Sequence, residues 1–174
     1  EPERGRELFN SFTDELSVKS ANNFLRADCG NGRPSNEQLH HLVISFKPED
    51  FDHLGKSDKE RKKRIKIVTR AAIAQLEKSL NCDKLAWAGA VHLNTDNPHV
   101  HLAIQKHYQT RDLKGRILSK IPRESLPHSE ITDGERKIVP GILIDAATSK
   151  LDEILKGRGL SRDLTSGDRD RTGT

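Results

Sequence analysis

The sequence predicts an α+β domain: an antiparallel β-sheet with helices packed on one face and a metal site on the other. Three observations carry that expectation. Apolar residues recur every three or four positions from Ile65 to Leu80, the spacing of one helical face. Two strand-like runs, 84–92 and 99–105, flank a polar, turn-rich loop and so read as a long hairpin. Histidines stand at 92, 99 and 101, where strand alternation can bring all three to one side.

The elements follow in order. Ser17 suits the cap of a short helix running to about Arg26, with Ala21, Phe24 and Leu25 at helical spacing. Cys29–Ser35 is loop by its Gly, Asn and Pro content, and His41–Phe46 is a strand closed by Lys47-Pro48. Ser57-Asp-Lys-Glu60 forms a capping box, in which hydroxyl and carboxylate reciprocally satisfy free amides. The helix it opens runs to about Leu80, and Asn81 is a left-handed stop. A further strand is expected over Arg116–Ser119, after the turn at Gly115. Residues 121–140, with Pro122, Pro127, Gly134 and Pro140, read as loop, and a last helix covers Ile142–Lys156, ended by Gly157. The domain is expected over residues 1–160. Residues 161–174 hold one apolar side chain, Leu164, and read as a linker or tail. The sequence has no methionine, so a piece of a longer protein, with its start missing, is expected.

Composition excludes several classes. Hydrophobic residues are 33% and charged residues 32%, which allows a modest core diluted by polar segments. The longest uncharged apolar run is Leu85–Val91, far short of the ~18 residues a membrane span needs, and no secretory leader is evident. Cys29 and Cys82 make neither a disulfide framework nor a cysteine zinc site. The net charge is only +4, but residues 56–70 carry +6 and residues 106–123 carry +5. Two basic blocks on an otherwise acidic chain point to a polyanion-binding surface, with Arg61, Lys62, Lys63, Arg64, Lys106, Arg111, Lys114 and Arg116 as its candidates.

The chemistry concentrates in His92-Leu-Asn-Thr-Asp96-Asn-Pro-His99-Val-His101. His99 and His101 share a strand face with Ala103 and Gln105, while Val100, Leu102 and Ile104 turn to a core. On the preceding strand His92 shares its face with Ala86, Ala88 and Ala90, and Leu85, Trp87 and Val91 take the other. Paired as a hairpin, the strands bring three imidazoles together over an open floor of alanines. Three neutral imidazoles suit a divalent transition metal and leave coordination positions open, as catalytic sites do. Such an ion can stabilise charge on a phosphoryl oxygen. Asp96, at the hairpin tip, is placed to orient a liganding ring from outside the metal's own shell. His40, His41, His53, His107 and His128 read as incidental, although His107 continues the same-face series, which would place it near the site.

This segment resembles the histidine-hydrophobic-histidine motif of the HUH endonucleases. More closely, it resembles the third motif of plasmid mobilization relaxases, in which a first His is followed by Asp-Asn-x-His-x-His. His41–Phe46 and Ile121–His128 are similar to flanking segments of that group, so the resemblance spans about residues 40–128.

The resemblance implies a relaxase domain that nicks single-stranded DNA at a transfer origin, for conjugation or mobilization, by tyrosine attack and formation of a 5′-phosphotyrosine. His92, His99 and His101 match the metal triad and Asp96 the adjacent acid. Asn94 stands where many members carry a second acid. The implied cofactor is Mg²⁺ or Mn²⁺, with Zn²⁺ or Ni²⁺ possible in a crystal. The implied partners are single-stranded DNA, accessory mobilization proteins and a type IV secretion coupling protein, with no membrane partner, in the bacterial cytoplasm. The nucleophile departs from the pattern. The single tyrosine, Tyr108, follows the motif and by strand parity faces away from it. The attacking tyrosine is therefore expected upstream of Glu1. A His nucleophile is known in some relaxases, but no His precedes His40. The competing readings are a rolling-circle replication initiator or single-strand transposase of the same superfamily, a hydrolytic metal-dependent nuclease, and a non-catalytic nucleic-acid-binding module.

Overall fold

The structure is a computed structural model that describes residues 7–26, 39–93, 97–109 and 118–158. Its centre is a four-stranded sheet of β1 (Leu8–Phe9), β2 (Leu39–Ser45), β3 (Trp87–His92) and β4 (His99–Gln105), ordered β1-β3-β4-β2. Every neighbouring pair is antiparallel. The expected hairpin is β3–β4, and the α+β architecture is the one the periodicity predicts.

Two long helices cover one face. These are α3 (Asp58–Ser79) and α4 (Gly141–Gly157), which pack against each other over the sheet; α1 (Val18–Arg26) and α2 (Pro48–Asp52) are short. The apolar stripe of α3, Ile65, Val68, Ala72 and Leu76, is fully buried against Trp87, Val100 and Ile104. From α4, Leu143, Ala147, Leu151 and Leu155 join the same cluster. Burial of each Ile, Val or Leu side chain contributes about 1.5–3 kcal/mol against the entropy of ordering the chain, so this layer anchors the sheet behind the histidines.

The start of α3 differs from a reciprocal capping box. Ser57 Oγ accepts from the Glu60 amide at 3.2 Å, but the Glu60 carboxylate accepts from the Lys56 amide at 2.7 Å, one residue earlier than Ser57. That hydrogen bond is the main reason the Glu60 carboxyl titrates below the usual range. At the other end Asn81 adopts φ 54°, the left-handed stop its sequence suggests. Strand β3 begins at Trp87 rather than Lys84 because the Leu85 amide donates to the buried Glu77 carboxylate at 2.8 Å, which ties this approach to α3 instead of to a neighbouring strand.

Two small hairpins complete the fold. β5 (His107–Gln109) pairs with β6 (Leu118–Lys120); of the strand expected over Arg116–Ser119, Arg116 and Ile117 lie outside the described residues. The second hairpin corrects the loop reading of 121–140. After one 3₁₀ turn at Arg123–Ser125, β7 (His128–Thr132) pairs with β8 (Glu135–Val139). Asp133 (φ 54°) and Gly134 (φ 81°) form the turn, and two successive positive φ values match the twist of a tight hairpin. Both strands are largely exposed, β7 mostly polar and β8 mostly charged, so no alternation of apolar residues marks them. The tail expected over 161–174 lies outside the described residues.

Helix α1 lies on the sheet face opposite α3 and α4. Ser17 caps it, accepting the Ser20 amide at 3.0 Å. Its buried residues are Ala21 and Leu25, and the Leu25 carbonyl accepts from Gln105 Nε2 at 2.8 Å. Gln105 shares its strand face with His99 and His101, so α1 roofs part of the alanine floor expected to be open.

Candidate metal centre

The β3–β4 register decides the site. His92 lies directly opposite His99, and Ala90 opposite His101, so the three imidazoles share one face at the end where the hairpin turns. Ring centroids are 5.0 Å apart for His92–His99, 4.4 Å for His92–His101 and 4.7 Å for His99–His101. One nitrogen from each ring falls within 4.8 Å of the other two.

The hydrogen bonds set the roles of the nitrogens. His99 Nδ1 lies 2.8 Å from the Asn97 carbonyl oxygen, which can only accept, so Nδ1 carries the proton and donates. The lone pair then sits on Nε2, 3.1 Å from His101 Nε2. Fixing one ring nitrogen through a carbonyl is how proteins hold a liganding histidine in one tautomer. Two nitrogens bound to one ion at ~2.1 Å stand roughly 3.0–3.5 Å apart at octahedral or tetrahedral angles, so this pair fits a shared cation. His92 and His99 are half-buried and His101 is exposed, which leaves the centre open on its solvent side.

The structure gathers the triad and separates it from much else that the sequence suggested. Asp96 lies outside the described residues, as do Arg111, Lys114 and Arg116. Arg61, Lys62, Lys63 and Arg64 are on α3, on the far side of the sheet, and are not brought to the histidine face. Arg61 donates to the Gly55 carbonyl and to Asp58, and Arg64 donates to the Leu54 carbonyl at 2.8 Å. Half of that basic run therefore secures the entry to α3. Lys106 directly follows β4, at the end away from His99. His107 does not continue the series, because it pairs with Lys120 in a separate two-stranded sheet. Tyr108 is half-buried and packs against the hydrophobic core.

Sequence reasoning missed His41. It opposes Ala103 on β2, and Val43 beside it opposes His101, so His41 belongs to the histidine face. The alternating burial of Leu39–Ser45 carries that signal only once the register with β4 is known.

An α+β sheet presenting three converging imidazoles beyond the helix-covered face is the architecture of a relaxase-like domain. Comparison with known families agrees: the model of the MobL relaxases matches residues 1–163. The chain belongs to the MobL relaxase family. No curated protein and no solved structure matches it. Membership supports a relaxase-type role in DNA nicking, with single-stranded DNA at a transfer origin and a divalent metal as the implied partner and cofactor. Among the described residues, no helix is long and apolar enough to cross a membrane.

Proposed function

We propose that the chain is the metal-binding core of a DNA strand transferase, with His92, His99 and His101 holding the ion. The observation that carries this reading is the convergence of three rings across one hairpin, with the His99 tautomer set by the Asn97 carbonyl. The donor set is all nitrogen, which favours Mn²⁺, Zn²⁺ or Ni²⁺ over Mg²⁺, an ion that prefers oxygen ligands. A bound ion would stabilise negative charge developing on the scissile phosphate.

The reaction is a transesterification. A tyrosine oxygen forms a bond to phosphorus, the bond from phosphorus to the 3′-oxygen breaks, and that oxygen takes a proton to become a free hydroxyl. The 5′-phosphotyrosine conserves the phosphodiester for rejoining. Tyr108 is not the attacking group, because it packs toward the core and not toward the triad. Where a tyrosine attacks, it is one other than Tyr108. The family match favours transfer or mobilization over replication initiation and transposition.

The test is metal binding followed by strand chemistry. Titration calorimetry with Mn²⁺ is expected to show one site in the wild type and none at the same concentration in His101→Ala. Cleavage by a form that carries the nucleophile should require the metal and leave a protein–DNA adduct, and Tyr108→Phe should not change it. Metal-dependent cleavage without an adduct would support the hydrolytic reading instead.

A further inference from the structure

Beside the triad, between α1 and the sheet, is a cleft of about 380 Å³ to which His101 contributes a wall. Its floor is Ala88, Ala90 and Ala103, on the histidine face of β3 and β4. Ala21 and Leu25 of α1 stand over that floor. The core face of the same two strands carries Trp87, Val91, Leu102 and Ile104, so side-chain volume is withheld on one side of the sheet only. The space is at the small end of ligand pockets, which run from roughly 300 to 1,000 Å³. Its polar groups are few: Asn22 on α1, and His41 and His101 on the sheet.

The roof is fixed. Gln105 is buried and donates to the Leu25 carbonyl across 80 residues of sequence, tying the C-terminal turn of α1 to the end of β4. A cleft held open by a buried side-chain hydrogen bond is ready for its ligand without the cost of ordering a wall.

We infer that this cleft holds one nucleobase of the bound single strand, turned out of its stack, next to the phosphate at the histidines. This rests on the strand-transferase reading and adds the subsite that positions the strand. The cleft and the candidate metal centre share His101, so a nucleotide whose phosphate reaches the triad has its base within one sugar of the opening. Aromatic residues are 4% of the chain, Phe9 and Trp87 are buried on the opposite face, and among the described residues no Phe, Tyr or Trp lines the cleft. An extruded base must instead be enclosed by apolar walls and read along its edge by polar groups, here Asn22 and His41. The cleft meets the histidine cluster at His101 alone, so the one base attached beside that phosphate should dominate recognition.

The experiment uses the full 174-residue chain loaded with Zn²⁺, which is diamagnetic, and follows alanine methyl resonances. The probes are the dinucleotide TpT, the same dinucleotide lacking one base, and a twelve-residue oligothymidylate. TpT is expected to shift the Ala21, Ala88 and Ala103 methyls, and the abasic form to need about tenfold more ligand, the scale of one enclosed base. Ala88→Leu, which fills the floor, should abolish the preference for TpT while Zn²⁺ affinity stays within twofold. If the oligonucleotide binds the wild type but these methyls do not move, the base pocket is wrong and the strand-transferase reading stands. If neither oligonucleotide nor dinucleotide binds the metal-loaded protein, the underlying reading fails and the pocket with it. Should Ala88→Leu not fold, the wild-type methyl shifts alone decide.

Discussion

The Nε2 atoms of His99 and His101 face each other at 3.1 Å, with the proton of His99 held on the far side of its ring by the Asn97 carbonyl. Two lone pairs at that distance repel unless a proton or a cation lies between them. His101 is exposed, so its removal leaves no buried cavity. His101→Ala is therefore expected to keep the wild-type circular dichroism spectrum while Mn²⁺ affinity falls at least ~100-fold, since loss of groups merely supporting a metal ligand already costs 10–100-fold. Metal at 100 times its dissociation constant should stabilise the wild type by about 2.7 kcal/mol and the variant by much less. Equal Mn²⁺ stabilisation of the two proteins would remove the triad from the account.

Phe9 of β1 opposes Gly89 of β3, and its ring meets Trp87 edge-on with centroids 5.4 Å apart. A Cβ at position 89 would stand 2.9 Å from Phe9 Cε1 and 3.0 Å from Leu102 Cδ2, both in fully packed surroundings. Gly89→Ala should thus destabilise the fold by roughly 1–3 kcal/mol, the usual cost of overpacking. Urea denaturation followed by Trp87 fluorescence measures it, because Trp87 is the only tryptophan. A shift of the midpoint without a change in slope is the expected form.

These two sites show what was legible in the sequence. The β3–β4 hairpin and α3 carry strong period-2 and period-3.6 patterns, so the faces of His92, His99 and His101 follow from counting. β1 does not, because two residues are too few for any period, although Phe9 is fully buried. The β7–β8 hairpin hid because its strands face water, and only Asp133-Gly134 marked it. The placement of the basic run of α3 was hidden for a different reason. Charge density is readable along a chain, but the face of the sheet that a helix covers is set by long-range packing. His41 was passed over on the same ground: its company on the sheet comes from β4, sixty residues on.

His128 and His40 should titrate in opposite directions from the ordinary imidazole value of 6.5. His128 is raised, chiefly by its hydrogen bond to the Leu126 carbonyl and then by Glu130 at 2.8 Å. Its contribution to stability is complete below the unfolded value and is lost as pH rises through the higher folded value. His40 is lowered, first by burial and then by the positive charges of Lys106 and His107. Its contribution is present above the unfolded value and is lost as pH falls toward the lower folded value. Imidazole proton NMR between pH 4 and 9 should place the His128 midpoint above that of His40, and Glu130→Gln should move His128 down and leave His40 unchanged. Coincident midpoints for the two rings would contradict the arrangement around β7.

The position of α3 leads to the last expectation. Single-stranded DNA is bound largely through its phosphates, and log affinity falls with log salt by about 0.7 for each phosphate neutralised. A strand lying across the histidine face runs on the opposite side of the sheet from Lys62 and Lys63, while Arg61 and Arg64 are engaged with Asp58 and the carbonyls of Gly55 and Leu54. Charge alone would have made this run the main contact, since residues 56–70 carry +6. With salt screening beyond about 10 Å at 0.1 M, cations behind the sheet should contribute little. The double variant Lys62→Gln/Lys63→Gln is expected to bind a twelve-residue oligothymidylate within twofold of wild type at 0.15 M salt, with an unchanged salt slope. Fluorescence anisotropy across 0.05–0.3 M salt provides the comparison. A slope reduced by ~1.4, two phosphates' worth, would show instead that the strand wraps onto α3.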